Sequence, residues 1–293
     1  MKKIFFWIPL FSILICWPSA AQQKLSVITT IEPFAYFIEE ITKEKAVVSV
    51  MIPSGANPHT YEPLPSQLTG LSSADLYVKV GSGIEFETTW MDKLISLNKK
   101  MKICNASNGI PLIPMEEHGE KEANDHKHKH TEKFDPHIWT SLKNAIIIIE
   151  NILKSLIAID PSHKDIYTQN AQNLTLKITA CIKEIEKQTS HLENKTLLVF
   201  HPAWGYFAKD FGLKQKSVEK YGKESTPQKL ARLIKDAKRN NIKIIFASPQ
   251  FSQKSARIIA QEINGTVHLI DPLSKNYIES LKTMINILTK NIP

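Results

Sequence analysis

Cysteine is scarce in this chain: 293 residues hold three of them, Cys16, Cys104 and Cys181, too few for a disulfide framework. Long apolar runs are missing as well. The stretch from Ile4 to about Trp17, broken by Pro9, falls short of the roughly 20 residues that a spanning helix needs, and no other segment approaches that length. No H-E-x-x-H motif stands in the sequence, so the helical zinc-peptidase signature is absent. Basic residues outnumber acidic ones, 37 to 29, for a net charge of +8. They are spread over helix surfaces such as Lys235 to Arg239 rather than gathered with aromatics, which argues against a nucleic-acid groove.

The first residues read as an export signal. Lys2 and Lys3 precede the short apolar stretch, and Ser19-Ala20-Ala21 offers a small-residue cleavage site. Residues 1–21 are therefore expected to be removed near Ala21, leaving a periplasmic protein. Lipid attachment at Cys16 is disfavoured, because Ile15 stands where a small residue is wanted. Losing Lys2 and Lys3, with no acid among the first 21 residues, takes the charge from +8 to +6. Of the remaining cysteines, Cys181 falls on the apolar face of a helical pattern and Cys104 ends a strand-like segment. Two separate reduced thiols are expected ahead of one disulfide.

Strand-like and helical runs then alternate. Leu25 to Thr30, Val47 to Ile52 and Leu76 to Val80 read as strands, while Phe34 to Glu40, Gln67 to Ser72 and Glu87 to Leu97 read as helices, the pattern of a parallel sheet with covering helices. Ser141 to Ile159 carries apolar residues at helical spacing until Asp160-Pro161, with Asp160 the expected N-cap of the next helix. Ile166, Ala171, Leu174, Ile178, Cys181 and Ile185 continue an apolar stripe to about Ser190. The second half resumes the rhythm: strands at 196–200, 242–247 and 266–270, helices at about 227–240, 252–263 and the C-terminus. The fold class predicted is α/β: a lobe over 22–159, a linking helix over 160–191 and a second lobe over 192–293. A long packed helix supplies few hinge residues, so the cleft between lobes is expected to be rigid.

Four segments place a metal-capable side chain on or beside a proline turn: Asn57-Pro58-His59, Asp135-Pro136-His137, Phe200-His201-Pro202 and Ile270-Asp271-Pro272. In open parallel α/β sheets, ligands bind beyond the carboxyl ends of the strands, where His59, His201 and Asp271 fall. His137 instead precedes a helix. Each residue alone is more often a solvated loop side chain or a turn former, but three imidazoles and a carboxylate at element ends form a set that suits Zn²⁺ ahead of Mn²⁺.

Residues 115–133 break the rhythm. Glu116, Glu117, His118, Glu120, Glu122, Asp125, His126, His128 and His130 leave no apolar residues to bury, so a flexible loop is expected. Its imidazoles at 118, 126, 128 and 130 form an auxiliary, weaker metal-capturing set. The competing reading is a solvated linker.

NPHTYEP at 57–63, the His-rich stretch before DPHIW at 135–139, FHPAWGYFAKDFGL at 200–213 and IDPL at 270–273 resemble the substrate-binding component of bacterial zinc and manganese ABC importers, the ZnuA/TroA-like cluster A-I family. The resemblance covers nearly all of the chain beyond the export signal. It implies two α/β lobes joined by a long helix and a monomer that delivers metal from the inter-lobe cleft to a membrane permease with its ATPase. By position, His59 and His137 match first-lobe ligands and His201 and Asp271 match second-lobe ligands, with Asp271 in or just outside the coordination shell. Histidine at 201 resembles the zinc type, since the manganese type usually has glutamate there. Trp139 and Trp204 are expected to pack around the site. A secreted zinc hydrolase, with Glu32, Glu62, Glu219 or Glu224 as base, is the enzymatic alternative; a full protein ligand shell argues against it.

Overall fold

In the computed structural model of the chain, which describes residues 24–115, 134–220 and 223–290, the strand-like runs of the first half close into one parallel sheet. β1 (Leu25–Thr29), β2 (Ala46–Val50), β3 (Leu76–Lys79) and β4 (Lys102–Asn105) pair in the order β2-β1-β3-β4. Crossovers run through α1 (Glu32–Thr42), α2 (Pro65–Leu71) and α3 (Glu85–Leu97). Leu76, Tyr77 and Val78 of the interior strand are all fully buried, whereas edge strand β2 is half-buried on one face and exposed on the other. The difference is that between a strand covered by helices on both sides and one at a sheet margin.

The second half repeats the plan. β5 (Thr196–Val199) and α6 (Gly205–Asp210) lead to β6 (Lys214–Ser217), followed by a two-stranded ribbon of β7 (Glu219–Lys220) and β8 (Lys223–Glu224). α7 (Pro227–Arg239), β9 (Ile244–Ala247), α8 (Gln253–Glu262), β10 (Thr266–Leu269) and α9 (Tyr277–Lys290) complete the chain. The parallel sheet runs β10-β9-β5-β6. Counted within its own lobe, each sheet has the strand order 2-1-3-4. The order reverses between the first and third strands, which is where an open α/β sheet presents a crevice beyond its carboxyl ends. α6 and β6 are not legible in the composition, since a six-residue helix and a K-Q-K-S strand carry almost no apolar periodicity.

Between the lobes, α4 (Leu142–Ile159) passes through a turn at Pro161–His163 into α5 (Lys164–Ser190), whose 27 residues span about 40 Å. Asp160 does not cap α5. Its carboxylate accepts from Ser162 Oγ, His163 Nδ1 and Tyr167 Oη instead, and the α-helix starts only at Lys164. α5 packs on α1, α4 and α9. One hydrophobic core follows it, from Val27 and Phe37 of the first lobe through Ile149 and Ile178 to Val199 and Leu288 of the second. A separate, smaller core around Phe200, Ile245 and Ile259 lies on the other face of the second sheet. A shared apolar core of that extent resists relative lobe motion. Cys104 and Cys181 are both buried and unpaired. Among the described residues no helix is long and apolar enough to cross a membrane.

Candidate metal centre

The same three-residue device recurs at the cleft. In Asn57-Pro58-His59, Asn57 Oδ1 accepts from the His59 amide at 2.9 Å; in Asp135-Pro136-His137, Asp135 Oδ1 accepts from the His137 amide at 2.9 Å. Each is an Asx turn in which proline sets the intervening backbone and the third residue is presented outward. His201 arrives differently, directly beyond β5. The Phe200 amide donates to Phe246 O and the Glu219 amide to Phe200 O, which pins the backbone beside it.

Each imidazole is then oriented through its Nδ1 by a carboxylate: His59 by Glu85 at 2.6 Å, His137 by Asp135 at 2.7 Å and His201 by Glu219 at 2.9 Å. A carboxylate on Nδ1 favours the tautomer that carries its proton there, so all three Nε2 atoms present lone pairs. Those atoms converge: His201 Nε2 lies 3.2 Å from His59 Nε2 and 3.4 Å from His137 Nε2. Three lone pairs facing one another repel unless a cation sits among them. Nitrogens about 2.05 Å from a tetrahedral Zn²⁺ would be about 3.3 Å apart, so the two spacings to His201 are already those of coordinated ligands, and all three residues offer nitrogens within 4.8 Å of one another. Burial, together with the charges that His137 and His59 would bring, pushes the His201 pKa down to about 2, which keeps its nitrogen free of a second proton.

The scaffold behind these residues is stiff. Glu87, buried in the first lobe, accepts from the amides of Val80 and Gly81 and from Thr30 Oγ1, and burial raises its pKa. It thereby fixes the loop 80–84 that leads to Glu85 at the start of α3, and Ser82 of that loop donates to Pro136 O beside His137. Trp139 packs edge-on to His137 and donates through Nε1 to Pro272 O; Trp204 is almost fully buried. Both tryptophans pack rather than ligate. Phe251, on the loop after β9, stacks on His201.

A cavity of about 420 Å³ opens beside the triad, its lining including His59, Glu85, His137 and His201 and also Met115 and Phe134. Those last two residues flank the histidine-rich stretch in sequence; His118, His126, His128 and His130 lie outside the described residues. Of the four ligand candidates, His59, His137 and His201 come together within 4.8 Å, and Asp271 does not join them. Its Oδ1 accepts from the Leu273 amide at 2.8 Å, so Asp271 occupies the place of Asn57 and Asp135 in a third Asx-Pro turn. Among the carboxylates weighed as a hydrolytic base, Glu219 is committed to His201. Sequence reasoning missed Glu85 and the orienting role of Glu219. They meet their histidines across 26 and 18 residues, and only Asp135, two residues before its partner, carried a local signal.

Residues 27–291 match the family model described as zinc-uptake complex component A, periplasmic. The high-affinity zinc uptake system protein ZnuA of Bacillus subtilis is 31% identical over 280 residues, covering 92% of this chain and 86% of that one. A crystal structure of ZnuA superposes with a TM-score of 0.85 at 36% identity, covering 92% of this chain and all of the other. A zinc-bound deletion mutant of ZnuA superposes with a TM-score of 0.83 at 34% identity, covering 92% and 98%. Zinc-binding lipoproteins AdcA of Streptococcus pneumoniae also match, and the chain spans about half of their length, 55%.

Proposed function

The chain belongs to the family of zinc-uptake component A proteins, and from that premise we propose that it captures Zn²⁺ in the periplasm and delivers it to the membrane permease and ATPase of an ABC importer. The observation that carries the reading is the convergence of three Nε2 atoms, each backed through Nδ1 by its own carboxylate. His59, His137 and His201 hold the ion, with Asp271 next to the shell rather than in it. Imidazole nitrogens favour Zn²⁺ over Mn²⁺, which prefers oxygen. The protein transports rather than catalyses. A cleft whose lobes share one hydrophobic core supports capture by local rearrangement rather than wide closure.

Metal analysis of protein purified without added metal, followed by calorimetric titration, tests the site. One tight Zn²⁺ equivalent is expected in the natural chain and none in the His59→Ala, His137→Ala, His201→Ala triple variant; tight binding that survives in the triple variant refutes it. The histidine-rich segment, whose sequence neighbours Met115 and Phe134 line the cavity, serves as an auxiliary collector. Deleting residues 116–132 is expected to remove weak equivalents and spare the tight one.

A further inference from the structure

Asp271, the fourth ligand candidate, does not join the converging triad, and its carboxylate is engaged elsewhere. Besides the Leu273 amide, Oδ1 accepts from Gln250 Nε2 at 2.6 Å. The other end of that amide gains nothing: Gln250 Oε1 is buried and has no hydrogen-bond partner among the described residues. An orphaned buried acceptor is unfavourable and calls for an explanation. Turning the amide over would aim its oxygen at the Asp271 carboxylate, so the orientation that orphans Oε1 is the one that holds Asp271.

Gln250 also sits next in sequence to Phe251, which stacks on His201 at 4.3 Å between ring centroids. Both residues belong to the short loop between β9 and α8. That loop lies at the reversal point of the second sheet, beside the end of β5 that delivers His201. One residue thus braces a ligand while its neighbour restrains the nearby carboxylate.

We infer that Gln250 sets the ligand count of the metal site: by tethering Asp271 it keeps the shell at three imidazoles and biases the protein towards Zn²⁺ and away from harder, oxygen-seeking ions such as Mn²⁺. The inference rests on the reading that the three histidines hold the metal. Gln250 is a specificity residue that acts through Asp271 and need not touch the ion. Releasing the tether lets a hard oxygen enter the shell, which strengthens Mn²⁺ binding more than Zn²⁺ binding.

Full-length protein, stripped of metal, is titrated with Zn²⁺ and with Mn²⁺, and Co²⁺ absorption reports coordination number. The variants are Gln250→Met, which keeps side-chain length and loses the donor, Asp271→Ala, and the double variant, with Gln250→Ala as the substitute should methionine crowd the loop. Gln250→Met is expected to tighten Mn²⁺ binding about tenfold and to change the Co²⁺ spectrum, Asp271→Ala to leave Zn²⁺ binding within about threefold, and the double variant to return to the natural values, as a coupled pair must. Three results overturn the inference while leaving the histidine site standing: Gln250→Met with unchanged Mn²⁺ affinity and Co²⁺ spectrum, a gain that persists in the double variant, or a tenfold or greater loss of Zn²⁺ affinity in Asp271→Ala. Failure of the natural chain to bind Zn²⁺ tightly refutes the histidine reading and this inference together.

Discussion

The rings of His201 and Phe251 lie face to face, 4.3 Å between centroids and 19° between planes. The stacked phenyl ring blocks one side of the imidazole and lies 6.4 Å from His59 as well, so it restricts solvent access to two of the three converging nitrogens. Aromatic pairs contribute about 0.5–1.5 kcal/mol beyond burial. Phe251→Ala is therefore expected to speed Zn²⁺ dissociation by about twofold to tenfold, with little change in the melting temperature of metal-free protein. Stopped-flow release into a chelator measures this; an unchanged off-rate removes Phe251 from the site.

The three orienting carboxylates differ in exposure, and the difference ranks them. Side chains of Asp135 and Glu219 are 7% and 9% exposed, whereas Glu85 is 56% exposed. Burial pushes the Glu85 carboxyl up, but the hydrogen bond and charge of His59 outweigh it and hold the pKa below the usual value. Losing the partner behind a metal-bound imidazole costs about 10- to 100-fold in affinity. Asp135→Asn and Glu219→Gln should fall in that range and Glu85→Gln below it, because water replaces an exposed partner more readily. Competition with a chelator of known affinity gives the order, and a Glu85→Gln loss equal to the other two contradicts it.

Much of this was legible in the residue order. Alternation of apolar runs gave two parallel sheets, and the Pro-flanked histidines at 59, 137 and 201 announced a site because each falls at an element boundary. The limits of that reading have physical causes. Asp271 reads as a donor on a turn beyond a strand; in Asn57-Pro58-His59 and Asp135-Pro136-His137 the residue before proline makes the turn, and Asp271 does the same for Leu273. The tether from Gln250 crosses 21 residues and the contact of Glu85 with His59 crosses 26, so neither leaves a trace in local spacing. Only the packing of the segments after β2, β3, β9 and β10 reveals them.

Acid should loosen the metal-free protein through His201. Its pKa is about 2 in the folded chain, lowered first by burial and then by His137 and His59, against an ordinary 6.5. Between those values the unfolded chain binds a proton that the folded chain refuses. Stability therefore rises with pH across that window and is flat for this residue above it, so it falls as pH drops below about 6.5. Melting temperatures of chelator-treated protein from pH 8 to pH 5 should decline on the acid side, and His201→Gln should decline less. Equal slopes for the two proteins would rule out this source of acid sensitivity.

Gly205, the first residue of α6, presses the second lobe against the ligand-bearing turn of the first. A Cβ there would stand 2.5 Å from Asp135 Oδ2 and 3.5 Å from Ile113 Cδ1. In a helix, alanine normally improves on glycine by about 0.5–1 kcal/mol. Here the added methyl meets a carboxylate that cannot swing aside, because its other oxygen accepts from both the amide and Nδ1 of His137 and its carbonyl accepts from Tyr206 Oη. Overpacking of this kind costs about 1–3 kcal/mol, and the strain falls on the group that orients His137. Gly205→Ala should therefore lower both the melting temperature and Zn²⁺ affinity. In a Gly205→Ala, Asp135→Ala double variant the methyl has room, so the two losses should be less than additive. Strict additivity in the calorimetric cycle would show that Gly205 and Asp135 act independently and that the close approach of the lobes is irrelevant to the site.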